Sequence, residues 1–168
     1  MSCTLYLVRH GIAEVGDQST ADADRRLTEE GTRKMTGAAR GLKRLGVAPD
    51  AILSSPLRRA AETAARIAAV VAPDVDVQTY RPLAPGQGAK AVLRGLAGHR
   101  GAQQLILVGH QPDLGELASY LLSGSPDVVP LPFKKGAVAA IRVESLPPRA
   151  AGQLEWFLTP RQLRAIGR

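Results

Sequence analysis

Cysteine and aromatic residues are scarce in this chain of 168 residues, and each shortage excludes a class of protein. The single cysteine, Cys3, cannot form an intramolecular disulfide, which fits a reducing compartment. Aromatic residues make up 4% of the chain and apolar residues 45%, so the core has to consist of Ala, Val, Leu and Ile. The same shortage leaves too few stacking platforms for a protein that binds single-stranded nucleic acid.

Long hydrophobic runs are also missing. No segment approaches the ~20 consecutive apolar residues of a membrane span, and the N-terminus lacks the cleavage-site pattern of a signal peptide. We therefore expect a cytoplasmic protein with no membrane partner. The length predicts a single domain over residues 1–168.

Acidic residues are outnumbered by basic ones, 15 to 22, which gives a net charge of +7. The basic residues are scattered singly or in pairs rather than gathered in one dense block, so we expect no nucleic-acid partner. A solvated basic surface, or a field that attracts an anionic substrate, explains the surplus more simply. One such pair, Lys134 and Lys135, is expected to be solvated at a strand edge, with contact to a phosphoprotein as the alternative.

Short apolar runs predict the strands. Leu5–Val8, Ala51–Leu53 and Leu105–Val108 are continuous rather than alternating, which is typical of parallel strands covered on both faces. Val75–Tyr80 is expected to be a fourth strand, half-exposed. Ala137–Val143 and a later run, Leu154–Leu158, predict two more strands, close enough in sequence to pair antiparallel at a sheet edge.

Helical patterns fall between these strands. Met35, Ala38, Leu42 and Leu45 form one apolar stripe, with Thr28 as the expected N-cap. Further helices are predicted for Leu57–Val71, Val92–Gly98, Leu114–Leu122 and a terminal segment that begins at Pro160. The polar segment 16–26 predicts a mobile loop. This order favours an α/β fold, a three-layer αβα sandwich around a mainly parallel sheet with an antiparallel edge.

Two of the three histidines occupy equivalent places in this pattern. His10 follows the first predicted strand and Arg9, and His110 follows the Leu105–Val108 strand and Gly109. Ligands of open α/β sheets bind at the carboxyl ends of the strands. A lone histidine there is usually structural, but two at matched positions indicate a site.

The second predicted strand runs through Ser55-Pro56 into Arg58 and Arg59, which brings at least one guanidinium to the same edge. Two arginines in a first helical turn could simply be solvated. However, the helix dipole disfavours cations at that end, so an anion bound nearby explains their placement better.

Two imidazoles and at least two guanidiniums at one edge favour phosphoryl transfer. Arginine matches phosphate oxygens bidentately, and nearby cations keep an imidazole neutral and therefore nucleophilic. No cysteine or carboxylate cluster accompanies the histidines, so we expect no metal and no cofactor.

Three motifs now indicate a family. Leu7-Val8-Arg9-His10-Gly11 resembles the signature of the histidine phosphatase superfamily, which includes the cofactor-dependent phosphoglycerate mutases. The segment from Ser55 to Ala64 resembles its second motif, and Val108-Gly109-His110 resembles its third. The resemblance covers at least residues 4 to 122, with the motifs in the expected order, and it implies a phosphoglycerate mutase-like fold.

The resemblance also implies the role of each site residue. His10 matches the nucleophile that forms a covalent phosphohistidine, and Arg9 and Arg59 match the two phosphate-binding arginines. His110 matches the second histidine, which contacts the phosphoryl oxygens, and Gly11 would let the backbone orient the nucleophilic ring. Arg58 falls on a variable position.

Among subfamilies, the segment from Val108 to Leu114 is similar to the compact SixA-type phosphohistidine phosphatases, as are the late segments around Phe133 and Trp156. The resemblance implies a substrate that carries phosphohistidine, such as a signalling protein. The alternative is a broad-specificity phosphomonoesterase that acts on small phosphorylated metabolites.

The sequence has no Asp or Glu between Asp76 and Asp113, where mutase relatives place a glutamate general acid. Without that acid an alkoxide leaves slowly, whereas an imidazole needs much less help. Asp113 could substitute, but capping preference favours it as the N-cap of the helix near Leu114.

Overall fold

The computed structural model describes the chain from Met1 to Arg168. Its six strands are β1 (Cys3–Arg9), β2 (Ala51–Ser54), β3 (Val77–Thr79), β4 (Gln104–Gly109), β5 (Val138–Val143) and β6 (Gln153–Leu158). Its α-helices are α1 (Glu29–Arg44), α2 (Arg58–Val71), α3 (Ala89–Gly95), α4 (Asp113–Ser123) and α5 (Pro160–Ile166). No helix is both long and apolar enough to span a membrane.

The strands form one sheet in the order β3-β2-β4-β1-β5-β6. The first four in this order are parallel, and β5 and β6 run antiparallel to their neighbours. The prediction of a mainly parallel sheet with an antiparallel edge is therefore confirmed.

Alternating side chains of β1 build the two halves of the core. Leu5 and Leu7 pack in the layer that contains α3 and α4, whereas Tyr6 and Val8 pack against α1, α2 and α5. This division follows from the two-residue period of a strand, and burial of the sheet on both faces explains why its runs are continuously apolar. The predicted three layers are confirmed.

The helix start at Thr28 is confirmed, since its side-chain oxygen accepts a hydrogen bond from the Gly31 amide. The expectation that Leu45 belongs to the apolar stripe is wrong. The helix has ended by that residue, and Leu45 is 40% exposed. Gly46 reverses the chain at a φ of 79°, and Val47 is buried instead.

The fourth strand and the 16–26 loop differ from expectation, and helix α3 begins at Ala89 rather than Val92 and ends at Gly95 rather than Gly98. The fourth strand is shorter than predicted, at Val77–Thr79, and its residues are only partly covered because β3 lies at the sheet edge. The segment 16–26 is a loop, as predicted, but it contains a 3-10 turn at Asp22–Asp24. That turn returns the chain from β1 to α1 across the carboxyl ends of the strands.

Candidate active site

The carboxyl ends of β1, β2 and β4 meet at one edge of the sheet. Arg9 is in register with Gly109, and Ser54 with Val108. Beyond these pairs, the His10 amide donates to the Gly109 carbonyl at 3.1 Å. Residues that follow three separate strands are thereby brought together, and the rings of His10 and His110 lie with centroids 5.2 Å apart.

The His10 ring has a defined proton position. Its Nδ1 lies 2.7 Å from the carbonyl oxygen of Gly11. Because a carbonyl only accepts, Nδ1 carries the proton and donates it, so Nε2 of the neutral ring keeps its lone pair. The site thus presents an imidazole with one nitrogen anchored and the other able to attack an electrophile.

Burial and nearby cations keep both imidazoles neutral. Burial is the main cause that lowers the pKa of His10 to about 3, and His110, Arg59 and Arg9 lower it further, against the opposing Gly11 hydrogen bond. The pKa of His110 falls to about 4, chiefly through burial and then through Arg59. At neutral pH each ring therefore carries one proton and no charge, which is the state that a nucleophilic imidazole requires.

Ser55 orients the second imidazole. Its hydroxyl lies 2.7 Å from Nε2 of His110, and the same oxygen accepts from the Leu57 amide at 3.3 Å. The Nδ1 atom of His110 is buried and has no hydrogen-bond partner within the protein. A buried nitrogen of this kind is costly unless it is paired, so it is available to an oxygen of a bound substrate.

Arg59 is the buried arginine of the second motif, with a side chain only 8% exposed. One terminal nitrogen donates to the Asp22 carbonyl at 2.8 Å and the other contacts the Asp22 carboxylate at 3.3 Å. Its neighbour Arg58 is 51% exposed and pairs with Glu62 at 2.9 Å. Of the two arginines, the structure therefore buries the one that matches the family's phosphate-binding position and exposes the one at the variable position.

The Arg9 side chain is also held by a backbone carbonyl. Its Nη1 donates to the carbonyl of Phe133 at 2.7 Å, while its buried Nε has no partner in the protein. The Nε of Arg59 is unpartnered in the same way. Two guanidiniums that are fixed through some of their nitrogens and have other N–H groups free form a cradle suited to an anion.

The backbone beside His10 is fastened at several points. The Gly11 amide donates to the hydroxyl of Thr63 at 3.0 Å, and that hydroxyl donates to the Arg59 carbonyl at 2.7 Å. The Gly136 amide is shared between the carbonyls of Arg9 and His10, at 3.0 and 3.1 Å. Thr63, which is completely buried, therefore links the loop of the first motif to the helix of the second.

The cavity at this edge, here called the catalytic cavity, has a volume of about 580 Å³. Arg9, His10, Arg59 and His110 all line it, as the sequence predicted, whereas Gly11 supports the His10 ring from outside its lining. Five further polar side chains line it that were not predicted for the site: Asp22, Arg25, Gln111, Glu116 and Lys135.

Two of these side chains, Asp22 and Lys135, reach the cavity because of the path that the chain takes after β1 and before β5. Asp22 lies in the loop that leaves the carboxyl end of β1, and Arg25 binds its carboxylate at 2.8 Å, which is the main cause that lowers the Asp22 pKa. Lys135 is exposed, as expected, but it also lines the cavity because β5 runs antiparallel to β1. That direction places the turn before β5 at the catalytic edge.

The expectation that Asp113 is an N-cap is wrong. Helix α4 begins at Asp113 itself and Pro112 occupies the capping position, without a side-chain hydrogen bond. The turn after His110 starts the helix one residue earlier than predicted, because the Leu114 amide already donates to the His110 carbonyl. The Asp113 carboxylate instead accepts from the Gly86 amide at 3.0 Å and lines the cavity.

No group of three or more His, Cys, Asp or Glu side chains is arranged to hold a metal ion. The buried side-chain nitrogen and oxygen atoms that lack a hydrogen-bond partner are all imidazole or guanidinium nitrogens. Guanidinium nitrogens are donors rather than metal ligands, so the arrangement suits an oxyanion better than a cation.

The model of the histidine phosphatase superfamily, branch 1, matches residues 5–84. A protein of Picosynechococcus sp. with no described function is 37% identical over 157 residues, which cover 92% of this chain and 93% of that protein. The family match includes the first and second motifs, and the relative extends the similarity across the third.

Solved structures share the fold. The protein histidine phosphatase SixA, complexed with tungstate, has a TM-score of 0.83 at 23% identity and covers 95% of this chain and 99% of its own. Phosphoglycerate mutase of Bacillus anthracis has a TM-score of 0.71 at 16% identity, covering 99% and 96%. Mycobacterial glucosyl-3-phosphoglycerate phosphatase has a TM-score of 0.70 at 16% identity, covering 95% and 100%.

The depressed pKa values of His10 and His110 predict that the protein loses stability in acid. The unfolded chain takes up protons near pH 6.5, whereas the folded chain binds them only near pH 3 to 4. The unfolded state therefore holds more protons in that window, and the free energy of unfolding falls as the pH falls through it, by up to about 1.4 kcal/mol per pH unit for each histidine.

Urea unfolding of the wild type and of His110→Gln between pH 7 and pH 4 measures this effect. The variant should show the shallower dependence on pH, whatever its stability at pH 7. Ser119→Ala, which removes a buried side-chain oxygen that does not titrate, is the control and should retain the wild-type slope. Equal slopes in all three proteins would contradict the assignment of the acid sensitivity to the buried imidazole.

Proposed function

The chain belongs to the histidine phosphatase superfamily, and we propose that it hydrolyses phosphohistidine on proteins through a covalent phosphoryl intermediate on His10. The observation that carries the chemistry is the buried, neutral His10 ring with Nδ1 anchored, placed between two guanidiniums and a second imidazole. Arg9 and Arg59 bind the phosphoryl oxygens, and His110 contacts them through its free Nδ1. SixA, which shares this fold, forms a complex with tungstate, an oxyanion shaped like phosphate, and this supports an oxyanion as the ligand.

In the first step, Nε2 of His10 attacks phosphorus as the bond from phosphorus to the substrate nitrogen breaks. The departing imidazole takes the bonding pair and leaves neutral when its other ring nitrogen already carries a proton. In the second step, water attacks the phosphoryl group and the bond to Nε2 breaks. His10 also leaves as a neutral imidazole, because the Gly11 carbonyl has kept the proton on Nδ1.

The segment between β3 and α4 contributes no acid to the cavity, which supports a nitrogen leaving group. No Asp or Glu occurs between Asp76 and Asp113, and the loop there contributes Pro85, Gly86 and Gly88 to the cavity. The Asp113 carboxylate is already bound to the Gly86 amide. An alkoxide needs a proton in the transition state, whereas an imidazole protonated on its far nitrogen does not.

A second candidate is a phosphomonoesterase for small phosphorylated metabolites. Three carboxylates line the catalytic cavity. Asp22 is paired with Arg25 and Arg59, whereas Asp113 or Glu116 could supply the proton an alkoxide requires. A metabolite phosphatase, the glucosyl-3-phosphoglycerate enzyme, shares the fold. The leaving-group comparison below separates the two candidates.

The nucleophile is tested by trapping the intermediate. Wild-type protein quenched during turnover should carry phosphate on His10 that is stable in alkali and labile in acid, and His10→Ala should lose turnover while remaining folded. His99→Ala is the control, since His99 lies in a 3-10 turn and does not line the catalytic cavity. Phosphate mapped to another residue by peptide mass spectrometry would contradict the assignment.

The anion cradle predicts a contrast between two adjacent arginines. Arg59→Ala should cost about 2–4 kcal/mol of transition-state stabilisation, as should Arg9→Ala, because each removes a preorganised charge donor. Arg58→Ala is the matched control, and its kcat/KM should stay close to the wild-type value because Arg58 is exposed and pairs with Glu62. A larger loss of kcat/KM for Arg58→Ala than for Arg59→Ala would contradict the assignment of Arg59 as the phosphate-binding arginine.

Leaving-group dependence tests the substrate class. The protein should turn over a phosphohistidine peptide and an aryl phosphate readily, and an alkyl phosphate about 10²–10⁴-fold more slowly, since only the last needs a general acid. The measurement is kcat/KM for all three at one pH, with Asp113→Asn and Glu116→Gln as companions. Similar values for the alkyl phosphate and phosphohistidine, with either variant selectively slowing the alkyl phosphate, would favour the metabolite phosphatase.

A further inference from the structure

A second cavity lies beside the catalytic one, formed by the start of α1, the turn before β5 and helix α5. It has a volume of about 550 Å³. No acidic residue lines this cavity, here called the basic groove, whereas five basic residues do: Lys34, Lys134, Lys135, Arg161 and Arg164. The groove therefore concentrates positive charge that is scattered along the sequence.

The basic groove is continuous with the catalytic cavity. Lys135 lines both cavities, and Gly11, which follows His10, lines the groove. A molecule seated in the groove therefore lies next to the residues that would transfer the phosphoryl group. A separate anion site elsewhere on the surface would lack this connection.

Most of the charge in the groove is uncompensated. Lys34 is paired with Glu30 at 2.6 Å, but Lys134, Lys135, Arg161 and Arg164 form no ion pair in the structure. Four like charges around one cavity repel one another, and an anionic partner would relieve that repulsion as it bound.

The remaining lining favours a protein segment over a nucleic acid. Ile12, Met35 and Ala165 supply apolar contacts, and Thr159 and Gln162 supply neutral polar ones. No aromatic side chain lines the groove, so bases would have nothing to stack on. Basic side chains around a small apolar surface suit a segment that carries carboxylates together with aliphatic side chains.

We propose that the basic groove binds an acidic segment of the substrate protein and so presents the neighbouring phosphohistidine to His10. This inference rests on the proposed function. It adds that part of the substrate specificity lies outside the catalytic cavity, in electrostatic contacts with the protein that carries the phosphate.

The test compares two phosphohistidine peptides that differ only in their flanking residues, Asp and Glu in one and Asn and Gln in the other. The wild type should show the lower KM for the acidic peptide. The double variant Lys134→Glu/Arg161→Glu should raise that KM about tenfold, because two rim attractions become repulsions, with little change in kcat. Both residues are exposed, and neither lines the catalytic cavity.

Arg66→Glu/Arg100→Glu is the matched control. It makes the same change in net charge at exposed positions that line neither cavity, so it should keep the wild-type preference for the acidic peptide. Turnover of free phosphohistidine, which is too small to span the groove, should be equal in all three proteins. Equal losses in the two double variants, or no preference in the wild type, would overturn the proposal.

A binding measurement keeps this inference separable from the proposed function. Fluorescence anisotropy of a labelled acidic peptide without phosphate reports on the groove even if phosphohistidine proves not to be the substrate. We expect binding that weakens with salt and is lost in Lys134→Glu/Arg161→Glu but retained in the control. A uridine-rich oligonucleotide could instead bind with the same dependence on salt and on the two double variants. If it does so and the acidic peptide does not bind, the groove is a nucleic-acid site and the proposal fails.

Discussion

The rest of the site depends on one contact, the hydrogen bond from Nδ1 of His10 to the Gly11 carbonyl. It decides which ring nitrogen is free, and it holds only if the Gly11 peptide cannot rotate. The preceding peptide, between His10 and Gly11, is fixed on both sides, because its amide donates to Thr63 and its carbonyl accepts from the Gly136 amide. The pairing of β1 with β4 and the position of α2 therefore together determine which ring nitrogen of His10 carries the proton.

The same arrangement carries an electrostatic cost that a phosphate would offset. Arg9 and Arg59 are held close to a buried imidazole, and together with burial they lower its pKa. Arg59 contacts the exposed Asp22 carboxylate at 3.3 Å, a longer distance than the 2.8 Å of its bond to the Asp22 carbonyl. In the proposed mechanism, a dianionic phosphoryl group pairs with the unpartnered guanidinium and imidazole nitrogens and leaves the nucleophile unprotonated.

Sequence patterns predicted the parts of the site that depend on strand ends, and missed the parts that depend on the path of loops. His10, His110 and one of the pair Arg58 and Arg59 were predictable because continuous apolar runs mark buried parallel strands, whose carboxyl ends share one edge. The choice of Arg59 within the pair came from the resemblance to the family's second motif. Asp22 and Lys135 were not, because their positions follow from how the 16–26 loop returns and from the direction of β5. The helix boundary at Asp113 moved by one residue, which changed a predicted cap into a contact with Gly86.

In the proposed mechanism, the proton fixed on Nδ1 removes the need for an acid at His10 itself. The His10 ring is neutral before it attacks through Nε2, cationic while it carries both the phosphoryl group and the Nδ1 proton, and neutral again when it departs, so no separate acid is needed to release it. Any demand for a proton therefore comes from the substrate's leaving group alone. A substrate whose leaving group is itself an imidazole imposes the least demand, since the bond that breaks in the first step is of the same type as the bond that breaks in the second. The proposed chemistry therefore favours phosphorus–nitrogen bonds, and the proposed basic groove would supply the choice among proteins that carry them.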